Sequence, residues 1–317
     1  MKPLRLSNTA FLLLLICLVL MTGCAKKEIE SASPKKQQVA LIMKSLANEF
    51  FKTMEDGAKA HHQNNVDTYD LDCNGIKDEQ DVNRQIEIVN QMIAKKVDAI
   101  VIAPADSRAL IPVCKKAISK GIVVINIDNK FDRDVLEQEG VQISFVGPNN
   151  RKGARLAGDY LASQLNQGDK VAILEGRPGA FNGNQRKLGF EDAMGAAEIE
   201  VVTSQSAYWE QKNAYDIATQ IYTKFGNELK ALLCANDNMA LGAVQALRGK
   251  GIQIVGFDNI SAIQTLIKEG KVLCTVDQHA DKIAVNGIEY ALEILKTGVK
   301  PDDRETMVNL VTAGDLK

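Results

Sequence analysis

Between residues 39 and 296 the chain switches repeatedly from a short apolar run to a longer stretch with helical spacing. Strand-like runs lie at 39–44, 66–72, 98–103, 122–127 and 143–147, and a second series at 170–174, 200–203, 231–235, 252–257 and 272–276. Helical patterns fill the intervals at 85–95, 107–120, 151–165, 185–196, 210–225, 238–248, 262–269 and 281–296. Gly121, Gly251 and Gly270 fall just past three of them, where a left-handed cap is wanted. Short connections between alternating β and α elements imply parallel sheets covered by helices on both sides. The first four runs and the four beginning at Lys170 repeat at a spacing of roughly thirty residues. The expectation is α/β: two similar doubly wound lobes with a ligand crevice between them.

The first unit, Val39 to His61, shows how such a crevice would be furnished. An apolar strand ending at Lys44 leads through a short loop into a helix near Phe50, with Met54, Ala58 and His61 at helical spacing. Asn48-Glu49-Phe50-Phe51 fits a purely structural role poorly. Adjacent residues lie about 100° apart on a helix, so both rings cannot face one core. The turn also sits at the carboxyl end of a strand, where open α/β sheets bind ligands. An aromatic face beside an amide suits a small polyhydroxylated ring, although ordinary core packing of the pair stays open.

The amino terminus is a targeting segment. Lys2 and Arg5 precede the apolar run Phe11–Leu20, and Met21-Thr22-Gly23-Cys24 closes it with small residues before a cysteine. A run of about ten to twelve apolar residues is too short to span a bilayer and right for a signal peptide. The ending resembles a bacterial lipobox, which makes residues 1–23 a signal peptide and Cys24 the lipidation site. Acylation there would tether the chain to a membrane without a spanning helix. Residues 24–38, with Ser31, Ser33 and Pro34, read as a solvated linker. Removing 1–23 takes two basic residues and no acids, so the net charge moves from −2 to −4. That balance gives no support to nucleic-acid binding.

Cys73, Cys114, Cys234 and Cys274 form no CxxC pair, and Cys234 and Cys274 sit in apolar runs as small hydrophobes. Asp70-x-Asp72-x-Asn74-Gly75 with Asp81 imitates a calcium loop. Lys77 stands at a usually apolar position and Asp81 replaces the usual Glu, so the run reads as turn chemistry closing a strand. Gly176-Arg177-Pro178-Gly179 lacks the GK[ST] of a phosphate loop, and His61, His62 and His279 are too scattered for a metal cluster. No metal and no cofactor is expected.

Taken in order, LANEFF, APADS, VINID, AGDYLA, CANDNMALGAVQAL, IVGFDN and VDQHAD resemble the periplasmic sugar-binding proteins of the ribose-binding type. These are type I solute-binding receptors of ABC transporters, and the likeness runs from about Val39 to Thr312. A signal peptide, with no helix-turn-helix, precedes the core, which sets aside the repressor relatives. The resemblance implies two lobes joined by a three-crossing hinge, one of 39–147 plus 279–305 and the other of 148–278 plus 306–317. Crossings are expected near Phe145–Asn149, Gln278 and Arg304–Val308. It also implies ligand contacts at Asn48, Phe50, Phe51 and Asp128 in the first lobe. Trp209, Asn236, Asp258 and Gln278 match positions in the second lobe and hinge. Ribose binders of this type usually carry arginine where this chain has Asn129 and Asn184, with Arg186 two residues beyond the latter. Asn lacks the rigid cationic fork of Arg, which points to a neutral sugar or polyol. The implied partner is the membrane permease of an ABC importer, the implied state a monomeric, lipid-anchored receptor in the periplasm or at the cell surface. Receptors for autoinducers or nucleosides and chemosensory presenters share the fold. A carbohydrate-active enzyme using Asp128 and Asp258 as paired carboxylates is the competing class, without the nucleophile, base or metal that would accompany it.

Overall fold

The computed structural model describes residues Lys36–Leu316; the signal peptide, Cys24 and the linker up to residue 35 lie outside them. The first sheet carries β1 (Gln37–Ser45), β2 (Tyr69–Ile76), β3 (Ala99–Ile102), β4 (Val123–Ile127), β5 (Phe145–Pro148) and β11 (Arg304–Thr306). The second carries β6 (Lys170–Glu175), β7 (Glu200–Ser206), β8 (Leu229–Cys234), β9 (Gln253–Val255), β10 (Cys274–Asp277) and β12 (Asn309–Thr312). Spatial order is β11-β5-β4-β3-β1-β2 in one and β12-β10-β9-β8-β6-β7 in the other. Each lobe is therefore wound alike, with one edge strand supplied by the carboxyl-terminal segment. Neighbours are parallel except for β12, which runs antiparallel to β10.

The helices are α1 (Glu49–Gln63), α2 (Val82–Lys95), α3 (Ile111–Ser119), α4 (Arg133–Glu139), α5 (Asn150–Ala162), α6 (Phe181–Ala196), α7 (Gln211–Phe225), α8 (Asp237–Ala246), α9 (Ser261–Lys268) and α10 (Ala280–Thr297). Central strands such as β1 and β3 are buried along their length, as sheets covered on both faces require. The edge strands β2 and β7 are polar and half-buried, which keeps their open edges from pairing with other chains. Met54 and Ala58 of α1 face the core. His61 stands at its margin, with Nδ1 2.9 Å from the Tyr69 hydroxyl.

The chain passes between lobes three times. It leaves the first sheet after β5, returns between β10 and α10, which packs on α1, β3 and β4, and exchanges sheets once more between β11 and β12. The second and third passages are tied together. His279, with φ 54°, has its Nε2 2.7 Å from Asn309 Oδ1 and its Nδ1 3.4 Å from Asp277 Oδ2.

Three sequence expectations shift. The pseudo-calcium run belongs to β2, where Asp70, Asp72 and Asn74 lie opposite Gln38, Ala40 and Ile42 of β1. Extended backbone cannot wrap an ion; Asp70 accepts from Gln38 and Asp72 pairs with Lys95. Helix α4 escapes detection because it buries no residue; the Asp132 side chain caps it and Gly140 at φ 64° stops it. Helix α6 begins four residues before the expected start, with consequences for the site. Gly121 and Gly270 do take φ of 83° and 70° past α3 and α9, and Gly251 takes 71°. The described cysteines are all free.

Candidate functional site

The strand ends of both sheets converge on one narrow, partly open cavity between the lobes. Its first-lobe wall consists of Lys44 at the end of β1, Asn48, Phe50 and Phe51 opening α1, Glu79 after β2, and Asp128 after β4. Its second-lobe wall consists of Asn182 and Arg186 on α6, Trp209 after β7, Asn236 before α8, and Asp258 after β9, with Gln278 at the hinge. β1 and β6 are the strands where the order of each sheet reverses, the place where open α/β sheets take ligands.

The aromatic groups are set by backbone geometry. Asn48 caps α1 by accepting the Phe50 N–H at 3.0 Å, which fixes the entry angle of the helix. The Phe50 and Phe51 rings stand edge to face, 5.1 Å apart at 82°, both buried. The helical wheel argued against their sharing one core; both rings belong to one buried cluster, and both line the cavity. Tyr208 and Trp209 take φ of 56° and 69°, a region bulky residues enter only when their surroundings impose it. Gly176 and Gly183 make room for the indole: a Cβ on Gly176 would lie 2.1 Å from it.

The charges are paired and buried. Lys44 Nζ lies 3.0 Å from Asp128 Oδ2 and 3.8 Å from Glu79 Oε2, and faces the Phe51 and Trp209 rings at 5.4 and 5.9 Å. Arg186 donates from Nε to Asn150 Oδ1 at 2.8 Å and from Nη1 to the Ala235 carbonyl at 2.9 Å. Its Nη1 is 3.4 Å from Asp258 Oδ1, and its guanidinium lies 3.8 Å from the Phe257 ring centroid. Gln278 donates to that same Asp258 oxygen at 2.6 Å. Burial pushes Glu79 up to about 7, against the opposing pull of Lys44. Burial likewise raises Asp258 above its ordinary value, against the opposing pull of Arg186. Asp128 and Asp258 have φ of 60° and 133°, costly conformations that aim both carboxyls from strand ends. Gln278 Oε1 and Trp209 Nε1 are buried without a protein partner, atoms that ask for a ligand.

Nine of the eleven expected contact residues meet around this cavity: Asn48, Phe50, Phe51, Asp128, Arg186, Trp209, Asn236, Asp258 and Gln278. Asn129 and Asn184 do not, and both are corrections. The Asn129 amide turns away to Ser107, Pro104 and the Asn182 N–H. Asn184 faces solvent, because residues two apart on a helix point about 200° apart; Asn182, one turn before Arg186, takes the inner place. Lys44, Glu79 and Asn182 were missed. Only Lys44 left a trace, as a lone cation ending an otherwise apolar strand.

Two lobes of identical winding, joined by three passages over a polar–aromatic cavity, are the architecture of a two-lobe solute-binding protein. Residues 39–299 match the family described as periplasmic binding protein domain, and the chain belongs to it. It is 50% identical over 312 residues to the D-ribose/D-allose-binding protein of Pseudomonas aeruginosa, covering 94% of this chain and 97% of that protein. The D-allose-binding periplasmic protein of Escherichia coli is 31% identical, over 86% of this chain and 90% of its own length. Among solved structures, an ABC transporter solute-binding protein from Burkholderia multivorans superposes with a TM-score of 0.85 and 53% identity, covering 88% of this chain and all of that one. Its unknown ligand is represented as alpha-D-erythrofuranose. The Actinobacillus succinogenes solute-binding protein with bound D-allose gives 0.83 and 36%, covering 89% and 99%. The family consists of solute-binding proteins, not enzymes, so the reading of Asp128 and Asp258 as paired catalytic carboxylates falls.

Proposed function

We propose that this chain is the sugar-binding receptor of an ABC importer, that its solute is one neutral aldose of the D-ribose or D-allose kind, and that it hands that sugar to a membrane permease. The observation that carries the reading is the pairing within the cavity: the cations Lys44 and Arg186 each already face an acidic side chain, Asp128 and Asp258, beside three aromatic rings. An extra phosphate or carboxylate would have no free cation there, whereas hydroxyls can accept and donate among the paired groups. The C–H faces of a pyranose or furanose ring suit Phe50, Phe51 and Trp209. Neutrality thus rests on this pairing rather than on Asn129 and Asn184. The names of the relatives at 50% and 31% identity support ribose and allose. A sugar bridging both walls stabilises the closed lobes by contacts it makes only there.

The Met-Thr-Gly-Cys junction adds the second part of the proposal: a lipid on Cys24 holds the receptor at the membrane, in the periplasm or on the cell surface. Calorimetry against D-ribose, D-allose, myo-inositol, ribose 5-phosphate and gluconate tests the ligand class. The expected result is saturable binding of an aldose and none of its anionic counterparts. Preference for an anionic sugar over its neutral parent would sink the proposal.

A further inference from the structure

Helix α6 carries two cavity residues, Asn182 and Arg186, yet lacks a cap of its own. Its N-cap is Ala180, with no side-chain hydrogen bond. By contrast, α1, α2, α4, α5 and α8 are capped by their own Asn or Asp. The first N–H groups of a helix have no partner within it. Here two of them are satisfied from the other lobe. Ser107 Oγ accepts the Phe181 N–H at 2.9 Å, and Asn129 Oδ1 accepts the Asn182 N–H at 3.1 Å.

The first-lobe side is built to present these acceptors. The Ser107 hydroxyl donates to Asn129 Oδ1 at 3.2 Å, and Asn129 Nδ2 donates to the Pro104 carbonyl at 2.9 Å, so the amide orientation is set within its own lobe. Both side chains are buried. Around them, Ser107 N–H donates to the Gly179 carbonyl at 3.2 Å, and Arg177 Nη1 reaches Asp106 Oδ2 at 2.9 Å.

We infer that Asn129 and Ser107 are positioning residues of the closed state: they cap α6 in trans across the cleft and latch the lobes over the solute without touching it. Opening the hinge exchanges both caps for water, so the latch favours closure by the worth of helix capping. It also ties the site together, because Asn129 adjoins Asp128 on one wall and holds the turn bearing Asn182 on the other. The inference rests on the reading of the chain as a sugar receptor, in one respect only: a bound sugar is what its kinetic test uses.

A latch and a ligand contact differ in what they do to selectivity. Ser107→Ala and Asn129→Ala should speed release of D-ribose and D-allose by the same factor, about fivefold or more, with the preference between the two sugars unchanged. A loss that differs between the sugars would place Asn129 on the ligand and overturn the inference, as would unchanged release in both variants. Should Asn129→Ala not fold, Ser107→Ala carries the test alone, since its hydroxyl bonds only within the latch. If the parent protein binds no aldose, the proposed function fails and the latch is read without ligand. Spin labels at Arg133→Cys and Lys212→Cys, one on each lobe, in a Cys73→Ser background, then report lobe separation. Ser107→Ala should shift the distribution to longer distances; an unchanged distribution overturns the latch.

Discussion

The ammonium of Lys44 and the carboxylate of Asp128 stand 3.0 Å apart with side chains 3% and 1% exposed. A buried pair of this kind adds little net stability while intact, but either partner alone is a desolvated charge. Lys44→Met should therefore cost about 3–5 kcal/mol of unfolding free energy and weaken aldose binding. Denaturant melts and calorimetry on the same variant measure both. A melt unchanged from the parent would show that Asp128 is neutral or solvated without its partner.

Acid groups in the cavity set the pH dependence of the unliganded protein. Burial raises Glu79 from 4.5 to about 7 and Asp237, beneath the site, from 3.8 to about 6. Between the unfolded and folded values the native state holds the extra proton, so these two acids lower stability as pH rises from 3.8 to about 7, and Asp258, also raised by burial, adds to the decline. Glu79 alone contributes on the order of 3 kcal/mol across that window. Urea midpoints should drop from pH 5 to pH 7.5, and Glu79→Gln should flatten the decline. A parent protein that gains stability over this range contradicts the argument.

Gly176→Ala tests the aromatic wall without removing any group that would touch a sugar. The added Cβ meets the Trp209 ring at 2.1 Å and must displace it. Overpacking of this kind costs about 1–3 kcal/mol, which predicts affinity weakened by roughly tenfold. Trp209→Ala should lose at least as much. Undiminished binding in both would put the ligand elsewhere.

Asp258→Asn keeps the shape of the side chain while removing the acid beside Arg186. A hydrogen bond to a charged group contributes about 1.5–3 kcal/mol, so sugar affinity should fall by about ten- to a hundredfold. Asp258→Ala should weaken binding as much and destabilise the fold as well, because it also removes the oxygen that accepts from Gln278 and Arg186. Titration of both variants, with thermal melts beside it, separates the two effects.

Cys24→Ser should release the mature protein from the membrane fraction into the soluble one. Intact-mass measurement of the processed amino terminus checks the same point. An unacylated terminus at another residue would dispose of the anchor.

The sequence by itself determined the winding of both lobes and most of the site. Apolar runs separated by helical spacing leave a chain few alternatives to parallel sheets, and in such sheets the residues after each strand converge at one edge. Asn48, Asp128, Asn236 and Asp258 came from the family resemblance, and each stands in the short loop that follows a strand. Tertiary structure alone decided the rest. The strands β11 and β12 have three and four residues, too few for any local pattern, and belong to sheets because other strands offer them an edge. Glu79 reads as an ordinary charge until the fold closes over it and sets it 3.8 Å from Lys44, which also pairs with Asp128. The choice of Asn182 over Asn184 turns on where α6 starts, since two residues reverse the face a side chain presents. Asn129 follows Asp128 in the chain, yet its amide points into the closed interface, because its partners Ser107 and Asn182 come from segments that only the three-dimensional fold brings beside it.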